Sequence, residues 1–287
     1  MPKNLISRAA KTIARTISIA ACATNLKDFF YLTFYSAANL VALPLYYLNF
    51  NFYLKFLRAV HGAMPDIIVK TKYGRFFCEA GTDTICSVLP TYEKELTEVF
   101  ENFRNDGGVF IDVGAHVGRY SIIFGNKFGK RGRVLAFEPT PKTFNSLKKN
   151  IELNKAKNID ACQTAVLDKN CKANFFVFKE SGCNSLFGSD FAKGGTKIKV
   201  DCRKLDDLVK QKRISPKDIS LIKIDVEGAP DKVLLGATEI LKKSSAKIIF
   251  EALNRAEFEK CKNILEKFNY KISGDSFDRI NFLAEKS

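Results

Sequence analysis

The stretch from Val109 to Pro141, VFIDVGAHVGRYSIIFGNKFGKRGRVLAFEPTP, constrains the fold more than any other part of the chain. Val109-Phe110-Ile111 is a short apolar run of β-branched and aromatic residues, which predicts a buried strand. The run stops at Asp112 and is followed by a turn holding Gly114, Ala115 and Gly118. A helical pattern through Ile122, Ile123 and Phe124 comes next. A second apolar run, Val134-Leu135-Ala136-Phe137, again stops at an acid, Glu138. Strand, glycine turn, helix, strand and acid make one βαβ unit, with a ligand crevice at the strand ends. Glycines let the backbone come close to a ligand, and the helix N-terminus presents N–H groups to it. A carboxylate at Glu138 can accept both hydroxyls of a ribose.

The spacing separates two cofactors. A dinucleotide unit uses G-x-G-x-x-G, whose glycines and helix dipole meet a pyrophosphate. Here the pattern is D-x-G-x-x-x-G, and Asp112 stands where a pyrophosphate would be repelled. The pattern suits S-adenosylmethionine, whose methionyl end carries an ammonium and a sulfonium. The alternative is an ordinary tight strand–helix turn with no ligand.

A second acidic constellation lies in Leu221-Ile222-Lys223-Ile224-Asp225-Val226-Glu227-Gly228. Buried parallel strands end at the ligand crevice, which predicts Asp225 and Glu227 near the transferred methyl group. Methylating a hydroxyl requires removal of its proton, and a carboxylate does this directly or by holding a divalent metal. Asp225 and Glu227 are therefore the candidate catalytic residues, and Asp225 also borders the cofactor. The bland alternative has Asp225 capping the next helix or positioning the cofactor's amino group. Glu251, ending the following apolar run, is a weaker candidate, and His116 reads as a neighbour of the cofactor loop.

Charge bears on partners. The 287 residues carry a net charge of +15, a balance that favours anionic partners. Residues 1–60 hold Lys3, Arg8, Lys11, Arg15, Lys27, Lys55 and Arg58 against Asp28 alone. No stretch interleaves basic and aromatic residues as nucleic-acid binders do, so nucleic acid is a secondary expectation. Eight cysteines without a C-x-x-C pair, and only two histidines, read as reduced thiols in a cytosolic setting and disfavour a zinc site.

Residues 1–65 differ in character from the rest. On a helix, Arg8, Lys11 and Arg15 share a face opposite Ile6, Ile13 and Ile17. That describes a basic amphipathic helix lying in a membrane interface or packed on the protein's own body. From Phe29 to Leu54 no residue is charged, a length sufficient to span a bilayer, yet Asn39, Pro44, Asn49 and Asn51 interrupt it. Tyrosine richness suits interfacial depth. A spanning segment with a cytoplasmic basic N-terminus would place the C-terminal part away from S-adenosylmethionine. The expectation is therefore peripheral attachment to the cytoplasmic membrane face, through an element broken near Pro44. A cleaved signal peptide is disfavoured.

Residues 66–287 form the second expected domain. Residues 66–80 predict a hairpin capping it, and residues 92–103 a helix. A helix over 139–154 follows, then a strand at 161–166 and another at 173–178. Residues 180–195 are either a plain loop or a substrate-facing lid. A strand at 197–202 and helices starting at 205 and over 233–241 come next. Strands at 246–250, 270–273 and 280–284, with a helix at 256–268, complete an α/β domain with a mostly parallel sheet.

Tyr92-Glu93, Ile111-Asp-Val-Gly-Ala-His-Val-Gly118, Phe137-Glu-Pro139, Ile224-Asp-Val-Glu-Gly228, Val233-Leu-Leu-Gly-Ala237 and Ile249-Phe-Glu251 together resemble the FkbM family of S-adenosylmethionine-dependent methyltransferases. The resemblance covers about residues 68–285. It implies a class I methyltransferase (Rossmann-like) sheet of seven strands with the last one reversed, and O-methylation as the default activity. By the same resemblance Asp112, Gly114 and Gly118 hold the methionyl end, Glu138 the ribose, and Asp225 borders the methyl. The family usually has Asn where His116 stands and an acidic residue near Pro230. Its members act on sugars, glycan or glycolipid headgroups and polyketide hydroxyls. The resulting expectation is O-methyl transfer to a hydroxyl of a sugar, glycan or glycolipid-type acceptor, on an anionic membrane surface. A nucleic-acid methyltransferase and a non-catalytic membrane-associated scaffold are the alternatives.

Overall fold

A computed structural model describes residues 18–103, 107–178, 195–273, 276 and 280–287. They divide into two compact units, one ending at Tyr92 and one starting at Glu93. The division falls beyond the 65/66 boundary expected from composition.

In the first unit, helix α1 (Leu26–Leu48) begins at Asn25, whose side chain accepts the Asp28 amide, the usual way to satisfy an orphan helix N–H. The helix runs through Pro44 and ends at Asn49. The expected break at Pro44 is thus corrected to Asn49. That residue is extended, and its side chain accepts the Phe52 amide to open α2 (Phe50–Ala63). Strands β1 (Ile67–Thr71) and β2 (Gly74–Cys78) form an antiparallel hairpin, followed by the short α3 (Thr84–Val88). The hairpin belongs to this unit: Ala23 bridges Val69, and the Lys70 amide donates to the Cys22 carbonyl at 2.7 Å. Among the described residues, no helix is long and apolar enough to cross a membrane. The expected basic helix over residues 6–20 lies almost wholly outside the described residues.

The second unit opens with α4 (Lys94–Asn102), then β3 (Gly108–Val113), α5 (Arg119–Phe128), β4 (Gly132–Phe137), α6 (Pro141–Leu153) and β5 (Ile159–Cys162). Strands β6 (Ala165–Val166), β7 (Cys171–Val177) and β8 (Thr196–Arg203) form a separate three-stranded sheet in the order β6-β8-β7. The strand expected over 161–166 is therefore two strands in different sheets. The candidate lid at 180–195 lies outside the described residues except for Gly195. Helix α7 (Leu205–Gln211), β9 (Ile219–Ile224), α8 (Pro230–Leu235), α9 (Thr238–Lys243), β10 (Lys247–Glu251), α10 (Arg255–Glu266), β11 (Tyr270–Ile272) and β12 (Asn281–Lys286) complete the unit.

The helix expected over 233–241 is interrupted at Gly236-Ala237. A Cβ on Gly236 would lie 2.0 Å from the Leu167 carbonyl oxygen, so the chain passes against that backbone there. Asp206 then caps α9, accepting the Glu239 and Ile240 amides at 2.9 and 3.0 Å.

The main sheet has seven strands in the order β11-β12-β10-β9-β3-β4-β5. Strands β3, β4, β5, β9 and β10 are parallel, while β12 runs antiparallel to both its neighbours. This is the α/β class expected, with the reversed strand inside the sheet next to its edge. One face packs Ile111, Val113, Ile222, Ile224 and Phe250 against Leu234, Ile240 and Leu265. The other packs aromatic rings: Phe110 stacks on Phe124 at 4.2 Å, and Phe100 on Tyr120 at 4.5 Å. From β3 the chain winds one way to β4 and β5, then returns to add β9 and β10 on the other side. That reversal opens a crevice at the carboxyl ends of β3 and β9, where open α/β sheets bind ligands.

Candidate active site

Two turns line the crevice, and each is tied to its neighbours. After β3, the Gly114 and Ala115 amides both donate to the Phe137 carbonyl at 3.0 Å. After β9, the Asp225 amide donates to the Val113 carbonyl at 3.0 Å. Gly114 has φ +80°, and a Cβ there would sit 1.7 Å from the Asp225 carbonyl oxygen. Glycine is required at this position by the approach of the second turn. Gly118 (φ +87°) caps α5 and faces the tip of Leu147, 2.4 Å from where its Cβ would be. Both glycines thus have a reason within the protein, in addition to the ligand approach expected from sequence.

Asp112 is 1% exposed. Its Oδ2 accepts the Ser121 hydroxyl at 2.6 Å, and its Oδ1 is buried with no donor. Burial pushes its carboxyl above the ordinary range, against the nearby Lys223 charge. Lys223 stands beside it in register on β9. The lysine side chain is 3% exposed and reaches Asp225 Oδ2 at 2.7 Å, and Asp225 is 28% exposed toward the crevice. The ammonium also lies 5.0 Å from the centre of the Tyr120 ring, a cation–π contact. Tyr120 in turn donates to Glu93 Oε2 at 2.6 Å. Burial alone would strip the proton from Lys223, but the surrounding carboxylates of Asp225, Asp112 and Glu93 hold it firmly charged. Burial likewise works against the Asp225 charge, and Lys223, a hydrogen bond from Glu251 and the His116 charge together outweigh it, so Asp225 stays ionised.

Glu251, at the end of β10, shares a hydrogen bond with Asp225. Burial first, and then the Asp225 charge, raise its carboxyl well above the usual range, so it is the proton-bearing partner.

Glu138 is buried, and its position differs from a free strand-tip carboxylate. Oε2 accepts the His116 amide at 3.1 Å, and Oε1 accepts the Thr140 amide at 3.0 Å as well as the Thr140 hydroxyl. It braces the turn after β3 to the turn after β4. Three donors use three of the roughly four lone-pair positions of a carboxylate. Accepting both ribose hydroxyls therefore requires at least one of these three donors to release it. Burial raises its carboxyl to about 7 against these hydrogen bonds.

Strand β9 has ended before Glu227, which sits in the left-handed region at φ +38° ahead of Gly228. Such strain in a non-glycine residue concentrates at functional turns. Glu227 is half-buried, and burial followed by the Asp225 charge raises it to about 7. His116 has φ +52° and contributes positive potential at Asp225.

The crevice thus gathers Asp112, Glu138, Asp225, Glu227 and Glu251, with the buried Lys223 ammonium paired to Asp225. A cationic ligand fits this set of carboxylates, and Oδ1 of Asp112 is a buried acceptor without a protein donor. The residues present therefore fit S-adenosylmethionine: Asp112 and Asp225 would answer its positive charges, and Glu138 its ribose. Among the described residues, no three His, Cys, Asp or Glu groups are arranged to hold a metal ion. The seven described cysteines are free thiols.

Sequence reasoning passed over Lys223 and Tyr120. The available signal was a lysine at an inward position between Ile222 and Ile224, in a strand buried on both faces.

Residues 112–282 match the model of the methyltransferase FkbM domain. The chain belongs to the FkbM methyltransferase family. Two curated relatives are similar to parts of this FkbM chain. "Methyltransferase 1" of Beauveria bassiana (strain ARSEF 2860) is 23% identical over 186 residues, covering 58% of this chain and 74% of that protein. "Methyltransferase sdnD" of Sordaria araneosa is 27% identical over 157 residues, 45% of this chain and 60% of that protein. Among solved structures, methyltransferase FkbM from Methylobacillus flagellatus KT is similar over 97% of this chain and 60% of its own, with 15% identity and a TM-score of 0.47.

Proposed function

We propose that this FkbM-family chain is an S-adenosylmethionine-dependent O-methyltransferase. Its acceptor is a hydroxyl of a sugar, in a glycan or a glycolipid-type headgroup. The observation that carries the reading is Glu227, a half-buried carboxyl on a strained turn beside Asp225, poised at about 7. A general base works best with a pKa near the working pH. S-Adenosylmethionine, when bound, supplies an electrophilic methyl group on a sulfonium. Asp112 offers its unpartnered oxygen to the ammonium. Asp225, kept ionised by Lys223, supplies a fixed negative charge to the cationic ligand. Glu227 takes the proton that the acceptor hydroxyl loses as its oxygen gains a carbon.

Titration calorimetry with S-adenosylmethionine, paired with transfer of labelled methyl to a panel of saccharide and lipid-linked saccharide acceptors, tests this. Asp112→Ala and Glu138→Ala are expected to abolish binding. Glu227→Gln is expected to keep binding and lose about 10²- to 10⁴-fold in kcat. In the intact protein, kcat/KM should rise with pH through about 7 as Glu227 loses its proton. Methyl transfer to a nucleic acid and to none of the hydroxyl acceptors would overturn the acceptor assignment. Absence of S-adenosylmethionine binding would overturn the whole reading.

A further inference from the structure

The first unit carries an apolar face that the methyl-transfer site does not use. On α1, Leu26, Phe30, Phe34 and Val41 recur at helical spacing along one side, with Ala37 and Pro44 between and beyond them. Their exposure is high for residues of this kind: 84% for Leu26, 65% for Phe30 and 62% for Val41. Phe29 and Leu40 flank the stripe and are also exposed. The opposite side of the same helix, with Leu32, Tyr35 and Ala42, is buried. A soluble helix normally turns its aromatic side inward, and a contiguous exposed apolar stripe marks a binding surface.

Charge identifies what covers it. The one acid on α1 and α2 is Asp28, which is 2% exposed and occupied by the Asn25 amide nitrogen and the Thr24 hydroxyl. The exposed charges on these helices are cations: Lys27 beside Leu26, then Lys55 and Arg58 on α2, where Phe52 is exposed as well. Residues 1–17 add Lys3, Arg8, Lys11 and Arg15 and no acid. A second copy meeting this face would bring like charges together. An anionic lipid surface offers apolar depth for the rings and negative headgroups for the rim.

We propose that α1 lies in the plane of an anionic lipid surface, with Leu26, Phe30, Phe34 and Val41 in the apolar layer and Lys27, Lys55 and Arg58 at the headgroups. The helix does not span. Phenylalanine and leucine at this depth, with Lys27 beside Leu26, follow the pattern of interfacial helices. The inference is independent of the acceptor and stands on the first unit alone. Its consequence for the reaction is that an acceptor held in the same surface is met in two dimensions.

The test uses the full chain in vesicle flotation. Vesicles are phosphatidylcholine alone or phosphatidylcholine with phosphatidylglycerol, at low and high salt. The protein is expected to float with the phosphatidylglycerol vesicles at low salt and to be partly released by high salt. The double variant Phe30→Ser/Phe34→Ser changes exposed residues outside the active site. It should lose about tenfold in vesicle partition while keeping the circular dichroism and S-adenosylmethionine affinity of the parent. A full chain that stays at the bottom of the gradient with both vesicle types overturns the proposal, as does equal partition of parent and variant. If the variant instead turns a dimer into a monomer by light scattering and leaves partition unchanged, the face belongs to a second copy and the lipid assignment is wrong.

Discussion

Lys223 decides how the acidic crevice holds together. It is buried on a central strand, pairs with Asp225 at 2.7 Å and stands in register with Asp112. Removing one member of a buried ionic network leaves the others uncompensated. Lys223→Met is therefore expected to destabilise the protein by about 3–5 kcal/mol in urea unfolding. Adding Asp225→Asn to that variant should return part of the loss. A loss below about 1 kcal/mol would show that the carboxylates take up protons and need no ammonium. The acids at Asp112, Glu138 and Asp225 were legible in the sequence because each ends an apolar run, and a parallel sheet sends such ends to one crevice. The buried lysine was not legible, because a basic residue in a lysine-rich chain reads first as a solvated one. The binding of Glu138 by Thr140 and His116 was not legible either. It depends on how two turns meet, which no local pattern encodes.

At the scale of elements, most helices and strands followed from hydrophobic period, with three exceptions. Pro44 was expected to break the apolar element and does not, whereas Asn49 does, and its side chain accepts the Phe52 amide of α2. The predicted helix over 233–241 breaks at Gly236, where the Leu167 carbonyl occupies the space of a Cβ. A strand expected over 161–166 divides between two sheets after Cys162. At Gly236 a contact distant in sequence, and at Asn49 a cap, decided where the element ended. The cap on α9 has a measurable weight. Asp206→Ala removes the acceptor for the Glu239 and Ile240 amides and should lower stability by about 1 kcal/mol, read as a shift in urea midpoint with unchanged slope. Asp206→Asn keeps the volume but only one of the two acceptor oxygens, so it should lose an intermediate amount, which separates the cap from a loss of packing.

For the molecule as a whole, the concentration of buried carboxyls sets the response to pH. Glu138 and Glu227 are raised from 4.5 to about 7 in the folded protein, by burial foremost. The folded state therefore keeps protons that the unfolded chain has released. Stability from these groups is fully present below the unfolded carboxylate range and is lost as pH rises through about 7. Asp160 and Asp225 work in the opposite sense. Burial raises them, but Lys212 and Arg133 at the first, and Lys223 with Glu251 and His116 at the second, hold them below the ordinary range. Their contribution is lost as pH falls through that range. Unfolding without ligand is thus expected at higher urea at pH 6 than at pH 8. S-Adenosylmethionine should narrow the gap, since a cation at the crevice favours the ionised carboxyls. Equal midpoints at the two pH values would contradict the burial described. The reversed strand β12 has a consequence for biosynthesis. It lies between β10 and β11 and pairs residues 281–286 with strands made earlier. While the nascent chain is still being extended toward that stretch, Ile248, Ile249 and Phe250 form an open apolar edge, of the kind that recruits other chains. Until residues 281–286 have left the ribosome and paired, a chaperone that covers extended apolar segments would find its substrate at that edge.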